Sequence, residues 1–157
     1  MRFILILTIF TLTQNITMAQ DLKTCVTAQM DLLQANDYNY NRVYNHFHPE
    51  ERGTENFQFD EKIDGCATRA TYVKSGSEDR QVSYVELHLG EGVPVSFGNL
   101  NDLFGEFAEL PPAPGGTWSA MIMGIPGEDD HEYTLLVQDS APLTPETLVK
   151  SLIIRVD

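Results

Sequence analysis

Residues 117–138 read TWSAMIMGIPGEDDHEYTLLVQ. Two runs of strand length, 117–125 and 131–138, flank Pro126-Gly127-Glu128-Asp129-Asp130, a stretch of turn-forming residues, and this arrangement predicts a β-hairpin. In the second run Tyr133, Leu135 and Val137 alternate with Glu132, Thr134 and Gln138, as a strand buried on one face requires. The first run has apolar residues on both sides, Met121, Met123 and Ile125 against Trp118, Ala120 and Ile122. It therefore predicts a central strand covered on both faces.

A second hairpin follows the same plan. Residues 66–74 (CATRATYVK) and 81–89 (QVSYVELHL) are rich in Thr, Val and Tyr and are joined by the polar segment 75–80. Two hairpins imply an antiparallel sheet of four or more strands. N-terminal to it, Leu22, Cys25, Val26, Met30 and Leu33 recur at helical spacing across 21–35. Tyr40, Val43, Tyr44 and Phe47 continue that period over 40–48, with Asp37 or Asn39 as the cap and Pro49 and Gly53 as the stop. Between the hairpins, Leu100, Leu103, Phe104, Phe107 and Leu110 predict a helix that Asn99 or Asn101 caps and that residues 111–116 (PPAPGG) end. Thr144-Pro145-Glu146 reads as a helix start, and the β-branched Ile153, Ile154 and Val156 favour a closing strand. The fold class expected is α+β, with N-terminal helices packed on an antiparallel sheet, in a single domain over 20–157. In architecture alone this order resembles small exported folds of the cystatin-like or NTF2-like kind, a resemblance that does not fix function.

The first residues carry a different signal. Arg2 precedes the apolar run 3–12 (FILILTIFTL), which is shorter than the roughly 20 residues a membrane-spanning helix needs. Thr17 and Ala19 then supply the small residues of a cleavage site, so residues 1–19 read as a secretory signal peptide. Cys25 lies well beyond the apolar run, unlike the lipid-bearing cysteine of a bacterial lipoprotein. The product is expected to be periplasmic or secreted and not held at a membrane after cleavage. The absence of an N-x-[ST] site after Ala19 favours the periplasm. In such a compartment Cys25 and Cys66, the chain's two cysteines, are expected to form one structural disulfide.

The full chain has a net charge of −13, and cleavage after Ala19 removes Arg2 alone among charged residues, leaving nine basic against 23 acidic. A balance of −14 repels nucleic acid and favours a basic protein partner.

Chemistry-bearing residues are sparse. His46 and His48 flank Phe47, and on a helix residues two apart point to opposite sides, which argues against a shared metal. Glu86 and His88 share one face of a strand, as an acid–base pair or a surface ion pair would. Asp129, Asp130 and His131, with Glu128 and Glu132, concentrate charge at a hairpin tip without the spacing of a calcium loop. No G-x-S-x-G, P-loop or dinucleotide fingerprint occurs, so no cofactor is implied. These readings favour a small exported binding, inhibitory or immunity-type module without catalysis. The alternatives are a small hydrolase or metal-dependent enzyme using Glu86 and His88 together with residues of the 128–132 cluster, and a carrier with a cavity between the 100–110 helix and the sheet.

Overall fold

A computed structural model describes residues 21–63, 69–76, 80–90, 94–127 and 131–156. The leader expected at 1–19, Cys66 and the tip residues Asp129 and Asp130 lie outside these residues. The protein is α+β: three helices and an antiparallel sheet of seven strands make up the described residues. No helix among them is long and apolar enough to cross a membrane.

Helix α1 covers residues 21–35 and α2 covers Tyr40–Phe47. The turn between them is tight. The Tyr38 N–H reaches the Leu33 carbonyl at 2.8 Å and the Asp37 N–H reaches Gln34 at 2.9 Å, satisfying the last carbonyls of α1. This pattern places Asp37 (φ 51) and Tyr38 (φ 55) in the left-handed region, where side chains are strained. Of the two caps expected for α2, Asn39 is the one used, its side chain accepting from the Arg42 N–H at 3.1 Å. The Val82 N–H to the Tyr38 carbonyl (2.8 Å) and the Tyr40 N–H to the Arg80 carbonyl (2.6 Å) tie this turn to the start of β3.

The strands are β1 (Gln58–Glu61), β2 (Arg69–Lys74), β3 (Val82–His88), β4 (Ala108–Leu110), β5 (Trp118–Pro126), β6 (Glu132–Asp139) and β7 (Ser151–Val156). Their spatial order is β1-β2-β3-β7-β6-β5-β4. Both expected hairpins form, β2–β3 and β5–β6, and β7 lies between them, pairing Val85 with Ile154 on one side and Leu135 with Ile154 on the other. The expected closing strand forms as Ser151–Val156, preceded by a turn at 145–146 rather than by the helix that Thr144-Pro145-Glu146 suggested.

One face of the sheet is the core. Tyr72, Val85, Leu87, Leu152, Ile154 and Leu135 are fully buried there. On this face the Tyr72 hydroxyl donates to Gln29 Oε1 of α1 at 2.6 Å, the Tyr133 hydroxyl donates to the Met30 carbonyl at 3.2 Å, and the Phe47 ring of α2 lies 5.6 Å from that of Tyr72.

Helix α3 (Phe97–Phe104) is shorter than expected, and its cap is Ser96 rather than Asn99 or Asn101. The Ser96 hydroxyl accepts from the Asn99 N–H, while the Asn99 side chain accepts from the Ser96 N–H, each at 3.2 Å. Gly105, at φ 107, ends the helix against Ile122, and residues 108–110 then extend as β4. The expectation for β5 also needs correction. It is interior to the sheet as expected, between β6 and the short edge strand β4, but Met123 is 66% exposed, so the strand is not covered on both faces. A bulge between Ile122 and Ile125 is the cause: both isoleucines pair with core-facing residues, Leu135 and Tyr133, although they are three apart.

Candidate functional site

Strands β2 and β3 bring the first candidate pair together. Thr71 lies opposite Glu86 and Arg69 opposite His88, all on the face away from the core. His88 Nδ1 is 4.0 Å from Glu86 Oε1. Sequence reasoning missed the two partners that complete the group. The Thr71 hydroxyl donates to Asp60 Oδ1 on β1 at 2.6 Å and lies 2.8 Å from His88 Nε2. Asp60 in turn pairs with Arg69 at 3.4 Å. The only clue in sequence was the two-residue spacing of Arg69, Thr71 and Val73, because β1 is too short to announce itself.

A hydroxyl between a carboxylate and an imidazole invites comparison with an activated nucleophile, but proton placement decides otherwise. A threonine hydroxyl has one proton. Donated to Asp60, it leaves the oxygen to accept from Nε2–H of His88, so the imidazole is the donor and not a base toward Thr71. Thr71 is also 93% buried, with only 7% of its surface exposed, which leaves an incoming substrate little access. The group is suited to holding β1, β2 and β3 in register and presenting Glu86 and His88, each nearly three-tenths exposed, to solvent.

His131 is elsewhere. It precedes β6 and its ring lies 4.4 Å from that of Tyr38. His88 pairs with Ser151 at the start of β7, whereas Tyr133 pairs with Val156 at its end. Five residue steps therefore separate the two ends, roughly 17 Å along the strand. Glu86 and His88 do not converge with His131 on one pocket. His46 and His48 also go separate ways. The His46 ring packs edge-on against Phe47, while His48 stacks on Tyr44 and places Nε2 2.5 Å from Glu61 Oε1. Among the described residues no three His, Cys, Asp or Glu side chains are grouped to hold a metal ion.

Two cavities bear on ligand binding. The cleft between α1, Phe104 of α3 and the Ile125 end of β5 has a volume of about 220 Å³. That falls below the roughly 300 Å³ typical of small-molecule sites. A larger groove, about 800 Å³, lies at the end of β1 and β2 and is lined by Arg52, Phe57, Lys74 and Arg80 among others. Burial without a hydrogen-bond partner distinguishes one further group. The Tyr40 hydroxyl is fully buried and unpartnered among the described residues, and loss of hydration, with Tyr44 close by, pushes its pKa from 10.0 up to about 12.

On the face away from the core, Glu86, Ile153, Leu136 and Met121 are successive partners across β3, β7, β6 and β5. All four are half-buried, and Tyr84, one step along β3, is half-buried too. The row has an apolar centre with ion-paired residues toward β1. Comparison of the chain with known protein families, with curated proteins and with solved structures finds no match.

Proposed function

We propose that the protein is a small exported binding module without catalysis, acting on a basic protein partner as an inhibitor or immunity-type factor does. In this reading residues 1–19 are removed on export, and Cys25, buried on α1, is bridged to Cys66. Helices α1 and α2 shield the core face and leave the other face for recognition. Cys25 is 2% exposed, and no free cysteine occurs among the described residues.

The observation that carries the reading is the row Ile153, Leu136 and Met121 with Tyr84 beside it. Half-exposed apolar side chains adjoin the Glu86–His88 and Asp60–Arg69 pairs, which is the anatomy of an interface with an apolar centre and a polar rim. A net charge of −13 selects the partner's sign and speeds its approach. The dispersal of Glu86 and His88 from His131 supports a surface that binds over one that catalyses.

The test uses the mature chain immobilised beside its Leu136→Asp and Ile153→Asp variants, each exposed to exocytoplasmic extract of the source cells. The expected result is a basic protein held by the wild-type chain, released by raised salt and lost with either variant. Retention by all three chains, or elution indifferent to salt, would refute both the surface and the partner's charge.

A further inference from the structure

Positive charge gathers at one groove of this acidic chain. Of its ten lysine and arginine residues, Arg52, Lys74 and Arg80 line the groove of about 800 Å³ at one end of the sheet. Two of the other cations are paired, Arg42 with Asp37 and Arg69 with Asp60. Arg52 and Arg80 are exposed and make no ion pair among the described residues. Lys74 Nζ instead sits 5.9 Å from the centre of the Phe57 ring. Phe57 is 62% exposed, so one large apolar ring stands open in a positively charged groove. Glu55 is the one acidic side chain of the lining, and Glu78 and Asp79, next to Arg80 in the chain, lie outside the described residues.

The groove is held in shape before any ligand arrives. The Gly53 N–H donates to Asn45 Oδ1 at 2.8 Å and the Thr54 N–H to Asn41 Oδ1 at 3.2 Å, pinning to α2 the loop that carries Arg52 and Phe57. Gly53 is required there. Its φ is 82°, and a Cβ would come within 2.9 Å of the Asn41 side chain. The Lys74 N–H donates to the Phe57 carbonyl at 2.9 Å, and the Arg80 carbonyl accepts from Tyr40. Each cation thus projects from backbone fixed by a hydrogen bond within two residues, which lowers the ordering cost of gripping an anion.

We propose that this groove binds a small polyanion, a phosphate or sulfate ester bearing a flat apolar portion. Arg52 and Arg80 supply forked donors for the anionic group, Lys74 adds a third charge, and Phe57 takes the flat portion on its face. Glu55 is outnumbered three to one in the lining, and more distant carboxylates oppose the anion only weakly at physiological salt, because screening acts over about 8 Å.

Pyrenetetrasulfonate, flat and polyanionic, serves as a fluorescent probe for the full chain, read by anisotropy, with ATP and inorganic pyrophosphate as competitors. The expected result is saturable binding displaced by both competitors. Arg52→Gln with Arg80→Gln weakens it by about tenfold or more, the loss expected for one or more charge-assisted hydrogen bonds. Lys74→Gln weakens it less, and Lys150→Gln, altering an exposed cation outside the groove lining, leaves it unchanged. Phe57→Ala weakens the probe and ATP but spares pyrophosphate. Unaltered affinity in the double arginine variant, or a probe that pyrophosphate cannot displace, overturns the site. Equal loss of pyrophosphate in Phe57→Ala overturns the stacking role and with it the flat portion of the ligand.

Discussion

Replacing Tyr40 by Phe should stabilise the protein, whereas the same change at Tyr72 should destabilise it. Both rings are fully buried and both pack against Phe59, at 5.3 Å edge-on for Tyr40 and 4.8 Å stacked for Tyr72. The substitutions keep those ring contacts and remove only a hydroxyl. At Tyr40 the hydroxyl has no partner among the described residues, so its removal relieves a buried, desolvated group costing about 1–3 kcal/mol. At Tyr72 the hydroxyl donates to Gln29 Oε1 at 2.6 Å, and Gln29 is 4% exposed. Deleting that donor strands a buried acceptor, with a loss of about 1–3 kcal/mol. Urea and thermal unfolding followed by the fluorescence of Trp118, the chain's one tryptophan, measure both changes. Tyr40→Phe should raise Tm by roughly 3 °C and Tyr72→Phe should lower it by a similar or larger amount. Loss of stability in Tyr40→Phe beyond about 0.5 kcal/mol would mean that its hydroxyl is satisfied, and would refute the reasoning.

Alkaline pH should probe the same residue. A phenol whose pKa rises from 10.0 to about 12 on folding holds its proton more tightly in the folded state, so stability is level below pH 10 and falls as pH climbs toward about 12, where the unfolded chain ionises first. Tyr40→Phe should therefore flatten the fall in stability over that interval in a pH series of urea midpoints. Asp37→Gly should stabilise by about 0.5–1 kcal/mol in thermal unfolding, because φ 51 favours glycine and the Arg42 pair given up is well exposed. Cys25→Ser with Cys66→Ser should cost up to roughly 4 kcal/mol, the chain-entropy value for a loop of about 42 residues. Thiol titration of the denatured, unreduced protein from an oxidising compartment should find no free sulfhydryl, and two would remove the bridge.

The parts of the fold legible in sequence are those whose periodicity survives intact along one element. Helix 21–35 keeps its spacing from end to end, and Val85 and Leu87 of β3 and Tyr133, Leu135 and Val137 of β6 alternate as read, although the β2–β3 register shifts between Val73 and Lys74. Misreadings arise where geometry changes inside an apolar run. In β5 the extra residue at the bulge turns Ile122 and Ile125 to the same side, so residues that looked double-faced serve one face, and Met123 is left exposed. After α3 the spacing of Phe104, Phe107 and Leu110 mimics another helical turn, although Gly105 has already ended the helix and β4 has begun. The cap was misplaced for a related reason, since Asn99 does bond to the helix start, but from the third position, in exchange with Ser96. Strand β1 has four residues and one buried side chain, too few to show a period.

The site residues illustrate a sharper limit, because proximity in a sheet is set by register rather than by distance along the chain. Glu86 and His88 could be paired from two-residue spacing, yet Asp60, which fixes where the Thr71 proton goes and so decides what His88 can do, comes from β1. Arg52, Phe57, Lys74 and Arg80 come from three segments, and net charge hides them. A composition of −13 points toward a basic partner, while the same chain gathers three cations where a polyanion would fit. The two inferences do not compete. Net charge acts at long range on a large partner's approach, and local charge acts within a Debye length on whatever enters the groove. Raising the salt should therefore slow association of a basic protein through the whole surface, whereas loss of Arg52 and Arg80 should affect only the small polyanion.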